Sequence, residues 1–338
     1  YVEMQKDDEN GVDGIDDASD VAVSPDGKHV YVTSLSDHAV AVFSRNSSTG
    51  ALTYVEMQKD GVNNVDGLHS ASSVKVSPDG SHVYVVGAND HAVAVFLRNS
   101  SAGRLTYLEV HKDGVNGVDG LRYPADIELS PDGNHIYVAG YLDNAVSVFS
   151  RNSSTGLLTY VEMQKDGVNG VEGLEKAFSV AVSPDGNHVY VGGWADNAVA
   201  MFSRNTSTGA LTYLEVYEDG VGGVDGLDGV NNVKVSPDGN NVYVAGWEDH
   251  SVAVFSRNVL TGVLTYVEVH KDGVGGIIGL ERADSVAISP DGNHVYVSAF
   301  IDDAVSVFSR NSSTGVLTYI EMQKDGVNGV DGFDGASR

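Results

Sequence analysis

The feature that most constrains the fold of this chain is a repeat of constant length. The sequence Ser-Pro-Asp-Gly begins at residues 24, 77, 130, 183, 236 and 289, an interval of 53 residues, and the segments between these copies repeat as well. Such a period is typical of an array whose units pack on their neighbours rather than around one central core. We predict a single domain over 1–338. Its overlapping terminal segment lies at 1–19, and its six repeats lie at about 20–72, 73–125, 126–178, 179–231, 232–284 and 285–338.

Each repeat has the pattern of four strands joined by turns. In the first repeat, short apolar runs cover residues 21–23, 29–33, 39–43 and 52–58. The Pro of Ser-Pro-Asp-Gly presets φ and its Gly accepts positive φ, so this tetrapeptide predicts a tight turn between the first two strands. No stretch shows helical periodicity.

The second and third strands are apolar at nearly every position, whereas an antiparallel strand with one wet face alternates. Burial on both faces is expected for a blade that lies between two neighbouring blades. We therefore predict an all-β fold, a six-bladed β-propeller of four-stranded antiparallel blades. An open β-solenoid is the alternative, although its repeats are usually shorter and lack a four-strand meander.

Composition excludes several classes of function. The formal net charge of −27 repels the phosphates of nucleic acids and of anionic lipids. The longest apolar runs fall far short of the roughly 20 residues that a membrane helix needs. There is no cysteine, so thiol chemistry and a disulfide framework are absent. We expect no nucleic-acid binding and no membrane insertion.

Residues 21–33, Val-Ala-Val-Ser-Pro-Asp-Gly-Lys-His-Val-Tyr-Val-Thr, are followed by Ala-Val-Ala-Val-Phe-Ser-Arg-Asn and Thr-Gly-Ala-Leu-Thr. This pattern resembles the lactonase-like (YVTN-type) bacterial β-propeller repeat over essentially the whole chain. The resemblance implies a propeller and covers both phosphogluconolactonase-like enzymes and secreted or surface propellers, so we expect a periplasmic or extracellular protein. The enzymes of that family have seven divergent blades, whereas this chain has six nearly identical ones, and no catalytic residue is carried over.

Comparing the repeats separates residues that serve every blade from residues that occur once. His29, His82, His135, His188 and His294 occupy one blade position. Under six-fold symmetry such residues lie too far apart to share a metal, whose bonds to nitrogen are about 2 Å long. We therefore predict a structural role for these histidines.

Two places in each repeat vary, namely the tip between the second and third strands and the residues just before the first strand. In a four-stranded meander both places lie on one face of the disc, and we predict that this face binds a protein or glycan partner. The tip supplies an arc of aromatic residues, Tyr141, Trp194, Trp247 and Phe300, and the other place supplies Arg122 and Tyr123. Such rings suit stacking on sugars or docking a protein, although each could instead pack on the neighbouring link.

The start of the first strand provides polar candidates near the propeller axis. Asp20, Asp126 and Asn232 belong to alternate blades and could converge as oxygen ligands of Ca²⁺. Two residues further on, Lys75, Glu128 and Lys234 could pair in the channel. A solvated, ion-paired channel without a metal or other cofactor is the simpler prediction.

Residues 1–6 are a seventh copy of the fourth strand, which the six blades do not need. This surplus N-terminal outer strand could be disordered, displace the C-terminal copy to latch the ring, or add to another molecule. We favour the latch or a longer repeat array over self-association.

Two functions are consistent with the sequence. The first is a non-enzymatic binding or structural module that displays its variable face, and near-identical blades favour it because an enzyme needs one asymmetric pocket. The second is a lactonase-type hydrolase at the channel mouth that uses Asp126, Glu128 and a possible Ca²⁺.

Overall fold

The computed structural model describes residues 2–333 and 335, and every regular element among them is a β-strand. The 24 strands form six antiparallel sheets of four, each in simple sequential order. The prediction of an all-β propeller with six four-stranded blades is confirmed. The chain divides into two compact units, Tyr1–Met163 and Gln164–Arg338.

The first unit holds blades 1 to 3, with β12 reaching just beyond its boundary. Its strands are β1 Ala18–Val23, β2 His29–Ser34, β3 Ala39–Arg45, β4 Leu52–Lys59, β5 Ala71–Val76, β6 His82–Gly87, β7 Ala92–Arg98, β8 Leu105–Lys112, β9 Pro124–Leu129, β10 His135–Gly140, β11 Ala145–Arg151 and β12 Leu158–Lys165.

The second unit holds blades 4 to 6. Its strands are β13 Ala177–Val182, β14 His188–Gly193, β15 Ala198–Arg204, β16 Leu211–Glu218, β17 Val230–Val235, β18 Asn241–Gly246, β19 Ser251–Arg257, β20 Leu264–Lys271, β21 Ala283–Ile288, β22 His294–Ala299, β23 Ala304–Arg310 and β24 Leu317–Lys324.

The Ser-Pro-Asp-Gly turn closes the hairpin between the first two strands of each blade. In blade 1, the Gly27 N–H donates to the Ser24 carbonyl at 2.8 Å, and Gly27 has a φ of 68°. The Ser24 hydroxyl accepts from the His29 N–H at 3.0 Å and donates to Asp26 at 2.6 Å. The turn therefore satisfies its own polar groups and fixes the start of β2.

Neighbouring blades bury their apolar faces against each other. We call the sheet face that packs on the preceding blade the leading face, and the opposite one the trailing face. Between blades 1 and 2, Val40 and Val42 of the trailing face pack with Val74, Val85 and other residues of the leading face. All of these side chains are fully buried, which explains why the second and third strands lack alternation.

A polar clasp accompanies the apolar joint between blades 1 and 2. Arg98, at the end of β7, reaches back from blade 2 and donates to the Tyr31 hydroxyl at 2.7 Å and to Asp26 at 3.0 Å. Its guanidinium also contacts the His29 Nδ1 at 2.8 Å, and Tyr31 donates to the Gly103 carbonyl at 2.9 Å. Because the side chains of Arg98 and Tyr31 are almost completely buried, the clasp cross-links the two blades in a dry environment.

The same clasp recurs at three further joints. Its arginine is Arg151 between blades 2 and 3, Arg257 between blades 4 and 5, and Arg310 between blades 5 and 6. At the last of these joints Asn241 replaces the histidine, and its Oδ1 accepts from Arg310 at 2.7 Å. The clasp histidines are thus joint residues, as the symmetry argument predicts.

Residues 2–6, part of the predicted surplus strand, form no strand, and Tyr1 lies outside the described residues. Glu3 nevertheless accepts from the Leu52 N–H, and Gln5 donates to the Leu52 carbonyl at 3.4 Å. Strand β24 pairs with β23 from Ala304 to Arg310. The latch prediction, in which the N-terminal copy displaces the C-terminal one, is therefore wrong. No helix long and apolar enough to cross a membrane occurs in the described part of the chain.

Candidate functional site

The two variable places of each repeat lie side by side at one end of the blade. In blade 3, the Tyr141 N–H donates to the Tyr123 carbonyl at 3.1 Å. In blade 5, the Trp247 N–H donates to the Gly229 carbonyl at 3.0 Å. The tip between the second and third strands is thereby tied to the residues that precede the first strand, as the meander predicts.

The predicted aromatic residues are in contact with their own surroundings. Tyr141 packs at 5.8 Å from Tyr123, centroid to centroid. The Lys176 ammonium lies 4.9 Å from the Trp194 ring, a cation–π distance. Arg122, which is exposed, donates its backbone N–H to Asp143 at 2.8 Å.

Trp247 is held from two sides. The Arg282 guanidinium lies 5.2 Å from its ring, and Phe300 lies 5.5 Å away, centroid to centroid. Phe300 is 40% exposed, whereas both tryptophans of the protein are half-buried. Tyr141 and Trp194 thus contact residues that precede the first strand of their own blade, whereas Trp247 contacts residues of the next blade. Ligand binding by these rings stays a prediction.

The start of the first strand forms a more strongly connected cluster in the first unit. The Ser73 hydroxyl lies 2.7 Å from the Asp20 Oδ2 and 3.1 Å from the Asp126 Oδ1, so one hydroxyl of blade 2 links two carboxylates, from blades 1 and 3. Asp20 also accepts from the Val74 N–H at 3.0 Å. Asp20 is 9% exposed and Asp126 is 2% exposed. We call Asp20, Ser73, Lys75, Asp126 and Glu128 the first-strand cluster.

Lys75 and Glu128 are the more accessible members of the cluster. The Lys75 Nζ lies 3.7 Å from the Asp20 Oδ2, an ion pair whose side chains are 20% and 10% exposed. The half-buried Glu128 accepts from the Leu129 N–H at 3.0 Å. The cluster thus combines one ammonium and one half-buried carboxylate with two buried, hydrogen-bonded carboxylates.

The second unit has a counterpart of this arrangement in which Asn232 replaces the carboxylate. Asn232 donates to the Ser179 hydroxyl at 3.4 Å, and its Oδ1 accepts from the Val286 N–H at 3.1 Å. Lys234, two residues on, lines a shallow cavity of about 230 Å³ whose other residues include Pro237 and Ala287. Asp20 and Asp126 are therefore brought together through Ser73, and Asn232 belongs to the other unit. Their binding of Ca²⁺ stays a prediction.

A recurrent cluster of aspartates was missed by the sequence analysis. Its oxygens lie within 4.8 Å of one another in four places, Asp7–Asp13–Asp37, Asp60–Asp66–Asp90, Asp113–Asp119–Asp143 and Asp219–Asp225–Asp249. In the second group the Lys112 Nζ lies 2.7 Å from Asp66 and 3.6 Å from Asp90. Burial alone would lower the pKa of Lys112, but these carboxylates outweigh it and raise the pKa.

In the fourth group Lys271 lies 2.8 Å from Asp225 and 2.6 Å from Asp249. A lysine thus provides the positive charge in both of these groups, which function as ion-pair clusters between a link and a tip. The link aspartates recur in the sequence, but only the fold reveals that a tip aspartate and a fourth-strand lysine complete each group.

Comparison with known proteins adds a family match. The sequence profile described as "Lactonase, 7-bladed beta-propeller" matches residues 2–64, 73–219 and 236–328. A candidate 6-phosphogluconolactonase from Bacteroides fragilis is similar in structure, with a TM-score of 0.72 and 21% identity over 90% of this chain and 84% of that one.

A periplasmic gluconolactonase from Pseudomonas aeruginosa is similar at a TM-score of 0.72 and 19% identity, over 90% of this chain and 85% of that one. Hydrazine synthase from Kuenenia stuttgartiensis also shares the fold, with a TM-score of 0.62 and 18% identity over 90% of this chain and 80% of that one. At such identities the structural likeness shows the fold alone.

The family match overturns one expectation from the sequence. A non-enzymatic module that displays a variable face was predicted, with enzymatic activity as the less favoured hypothesis. That prediction is wrong, because the family whose profile matches the chain is one of lactonases. The near-identity of the blades favoured a symmetric display surface, whereas the first-strand cluster is asymmetric although the scaffold around it is regular.

Proposed function

Because the chain belongs to the seven-bladed lactonase propeller family, we propose that it is a lactonase-type hydrolase that opens the ring of a sugar lactone. The observation that carries this proposal is the family match, which includes residues of all six blades. The first-strand cluster supplies the chemical groups that such a reaction needs.

Lactone hydrolysis requires two kinds of assistance. Water attacks the carbonyl carbon while a base accepts its proton, and negative charge develops on the carbonyl oxygen. The ring C–O bond then breaks, and the ring oxygen takes up a proton to leave an open hydroxy acid. A carboxylate and an ammonium on opposite sides of the ester therefore suffice for the acid–base and electrostatic parts of the reaction.

Glu128 and Lys75 are assigned these two roles. Glu128 is half-buried and its carboxylate can accept the proton of the attacking water. The Lys75 ammonium, anchored 3.7 Å from Asp20, stabilises the charge on the carbonyl oxygen. Asp20 and Asp126 are positioning residues, because both are buried and hydrogen-bonded to Ser73.

The net charge favours an uncharged sugar lactone over a phosphorylated one. At −27 the protein repels a phosphate-bearing substrate over long distances. The periplasmic gluconolactonase among the similar structures agrees with this choice and with a periplasmic location. A Ca²⁺ ion at Asp20 and Asp126 stays a separate proposal, tested by measuring the rate before and after chelation.

The test is the initial rate of glucono-lactone hydrolysis, measured by pH-stat and corrected for the spontaneous reaction. Glu128→Gln and Lys75→Met are expected to lower kcat/KM by at least about 10²-fold each, the usual effect of losing a base or an oxyanion contact. Glu9→Gln and Lys28→Met remove comparable charges from a link and a turn and are expected to leave the rate unchanged. Equal rates in all four variants would refute the assigned site, whereas a wild-type rate no faster than buffer would refute the function.

A further inference from the structure

Two histidines of the first unit are in contact at the joint between blades 1 and 2. His38 lies at the tip between β2 and β3, and His69 lies in the link that leads to β5. Their ring centroids are 4.3 Å apart, and the ring planes are inclined by 72°. His38 is half-buried and His69 is exposed, so solvent reaches the pair.

No other repeat of the sequence has histidines at both of these positions. The counterparts of His38 are His91, Asn144, Asn197, His250 and Asp303. The counterparts of His69 include Asp16, Arg122, Glu175, Asp228 and Glu281. Residues that serve the blade recur in every repeat, whereas this combination of two imidazoles occurs once. The blade therefore does not require the pair, which makes it a candidate for a separate role.

The backbone fixes the ring of His38. Its Nδ1 lies 2.7 Å from the Leu35 carbonyl oxygen and 3.1 Å from the Ser70 nitrogen. Asn197 makes the corresponding contact in blade 4, where its Oδ1 accepts from the Gly229 N–H at 2.9 Å. An amide side chain can therefore provide the contact with the link, and the second ring nitrogen is what histidine adds.

The contacts of Nδ1 make Nε2 the ligand atom of His38. A neutral imidazole carries one proton, and a histidine that binds a metal usually donates its other ring N–H to a carbonyl or carboxylate. With the proton on Nδ1, the Leu35 carbonyl accepts it and the Nε2 lone pair is available. Among residues 2–333 and 335, no hydrogen bond involves the Nε2 of His38 or either ring nitrogen of His69.

The backbone of His69 is held as well. Its N–H donates to the Asp90 carboxylate at 3.0 Å, and its carbonyl accepts from the Asn89 N–H at 3.1 Å. Because both histidines are anchored before any ligand arrives, little conformational freedom is lost on binding, which favours affinity. The Asp90 carboxylate and the net charge of −27 attract a cation to this joint.

We propose that His38 and His69 together bind one divalent transition-metal ion of the zinc or copper type. Metal–nitrogen bonds of about 2 Å allow one ion to bridge two imidazoles whose centroids are 4.3 Å apart. Imidazole nitrogen suits Zn²⁺, Cu²⁺ and Ni²⁺, whereas Ca²⁺ takes oxygen ligands. Water completes the coordination, as in zinc sites that keep an open position.

Titration calorimetry of chelator-treated protein with ZnCl₂ tests the proposal. His38→Asn keeps the joint contact seen at Asn197, and His69→Ala truncates an exposed side chain, so both variants should melt as the wild type does without metal. Each is expected to lower the affinity for Zn²⁺ by at least about 10-fold, since losing even an outer-shell partner has that effect. His91→Asn is the matched control, because it makes the same substitution beside Arg122, and it should bind Zn²⁺ as the wild type does.

Cu²⁺ provides a readout that a structural role of the histidines would not change. Electron paramagnetic resonance of the 1:1 Cu²⁺ complex should show coupling to two imidazole nitrogens in the wild type and in His91→Asn, and this pattern should be lost in His38→Asn and in His69→Ala. A wild type without saturable Zn²⁺ binding up to about 1 mM would overturn the proposal. Equal Zn²⁺ affinities in the wild type and both pair variants, or displacement of Zn²⁺ by Ca²⁺, would also overturn it, because the ion would then bind to carboxylates.

Discussion

Removing one clasp hydroxyl tests how the blades are held together. In Tyr84→Phe the apolar ring stays, but the hydroxyl that accepts from the Arg151 Nε at 2.6 Å and donates to the Gly156 carbonyl at 2.8 Å is lost. Tyr84 is completely buried, so both partners are left unsatisfied away from water. Each buried group left without a partner costs about 1–3 kcal/mol, so the expected loss of unfolding free energy for the two groups is about 2–6 kcal/mol.

The chain offers a matched control at the same position of another blade. Tyr296→Phe removes a hydroxyl that has no partner among the described residues, and at low protein concentration it should change the free energy of unfolding by less than about 0.5 kcal/mol. Urea unfolding followed by far-UV circular dichroism compares the two variants, and hydrogen exchange of the segment 82–98 localises the effect. Equal losses in both variants, or no loss in Tyr84→Phe, would refute the clasp as the source of stability.

Three further predictions concern a histidine pKa, the tyrosine pKa values and the space around a glycine at the joints between blades. Burial, and after it the charge of Arg151, lowers the pKa of His82 below 6.5. The joint therefore loses stability as the pH falls through and below 6.5. His82→Asn, which introduces the residue found at Asn241, should remove this part of the acid dependence of the melting temperature. Burial raises the pKa of Tyr31, Tyr84, Tyr190 and Tyr243 to about 12, so their contribution to stability is complete below pH 10 and disappears between pH 10 and 12. Ultraviolet titration should show a group of tyrosines that includes these four and that ionises only with unfolding. Gly103→Ala places a Cβ 2.3 Å from the His29 ring and should lower the melting temperature much more than Gly50→Ala does. Gly50 shares the positive φ, but a Cβ there meets no neighbour. Equal effects of the two variants would contradict the packing of this joint.

Much of the fold follows from local sequence. The predicted strands at 29–33 and 39–43 correspond to His29–Ser34 and Ala39–Arg45, because the turns that bound them have strong signals of their own. The first strand was predicted too short, at 21–23 instead of Ala18–Val23, since its first half is polar. Polar side chains there bond to the next blade, which a local pattern does not reveal.

The clasp could not be derived from the sequence, although all of its residues are repeated. Tyr31 and Arg98 are separated by 67 positions, and their pairing depends on how consecutive blades stack. The same holds for the first-strand cluster, where Asp20 and Asp126 meet at Ser73 through the geometry of three blades. The sequence identified these positions as variable and polar, but it did not indicate that one hydroxyl joins them.

We propose that this chain hydrolyses sugar lactones at the first-strand cluster, and one measurement tests this proposal. The most direct measurement is a progress curve of glucono-lactone hydrolysis with wild-type protein, Glu128→Gln and buffer under identical conditions. We expect that the rate with the wild type clearly exceeds the rate in buffer and that Glu128→Gln lowers this excess by at least about 10²-fold. A wild-type curve that coincides with buffer would contradict it.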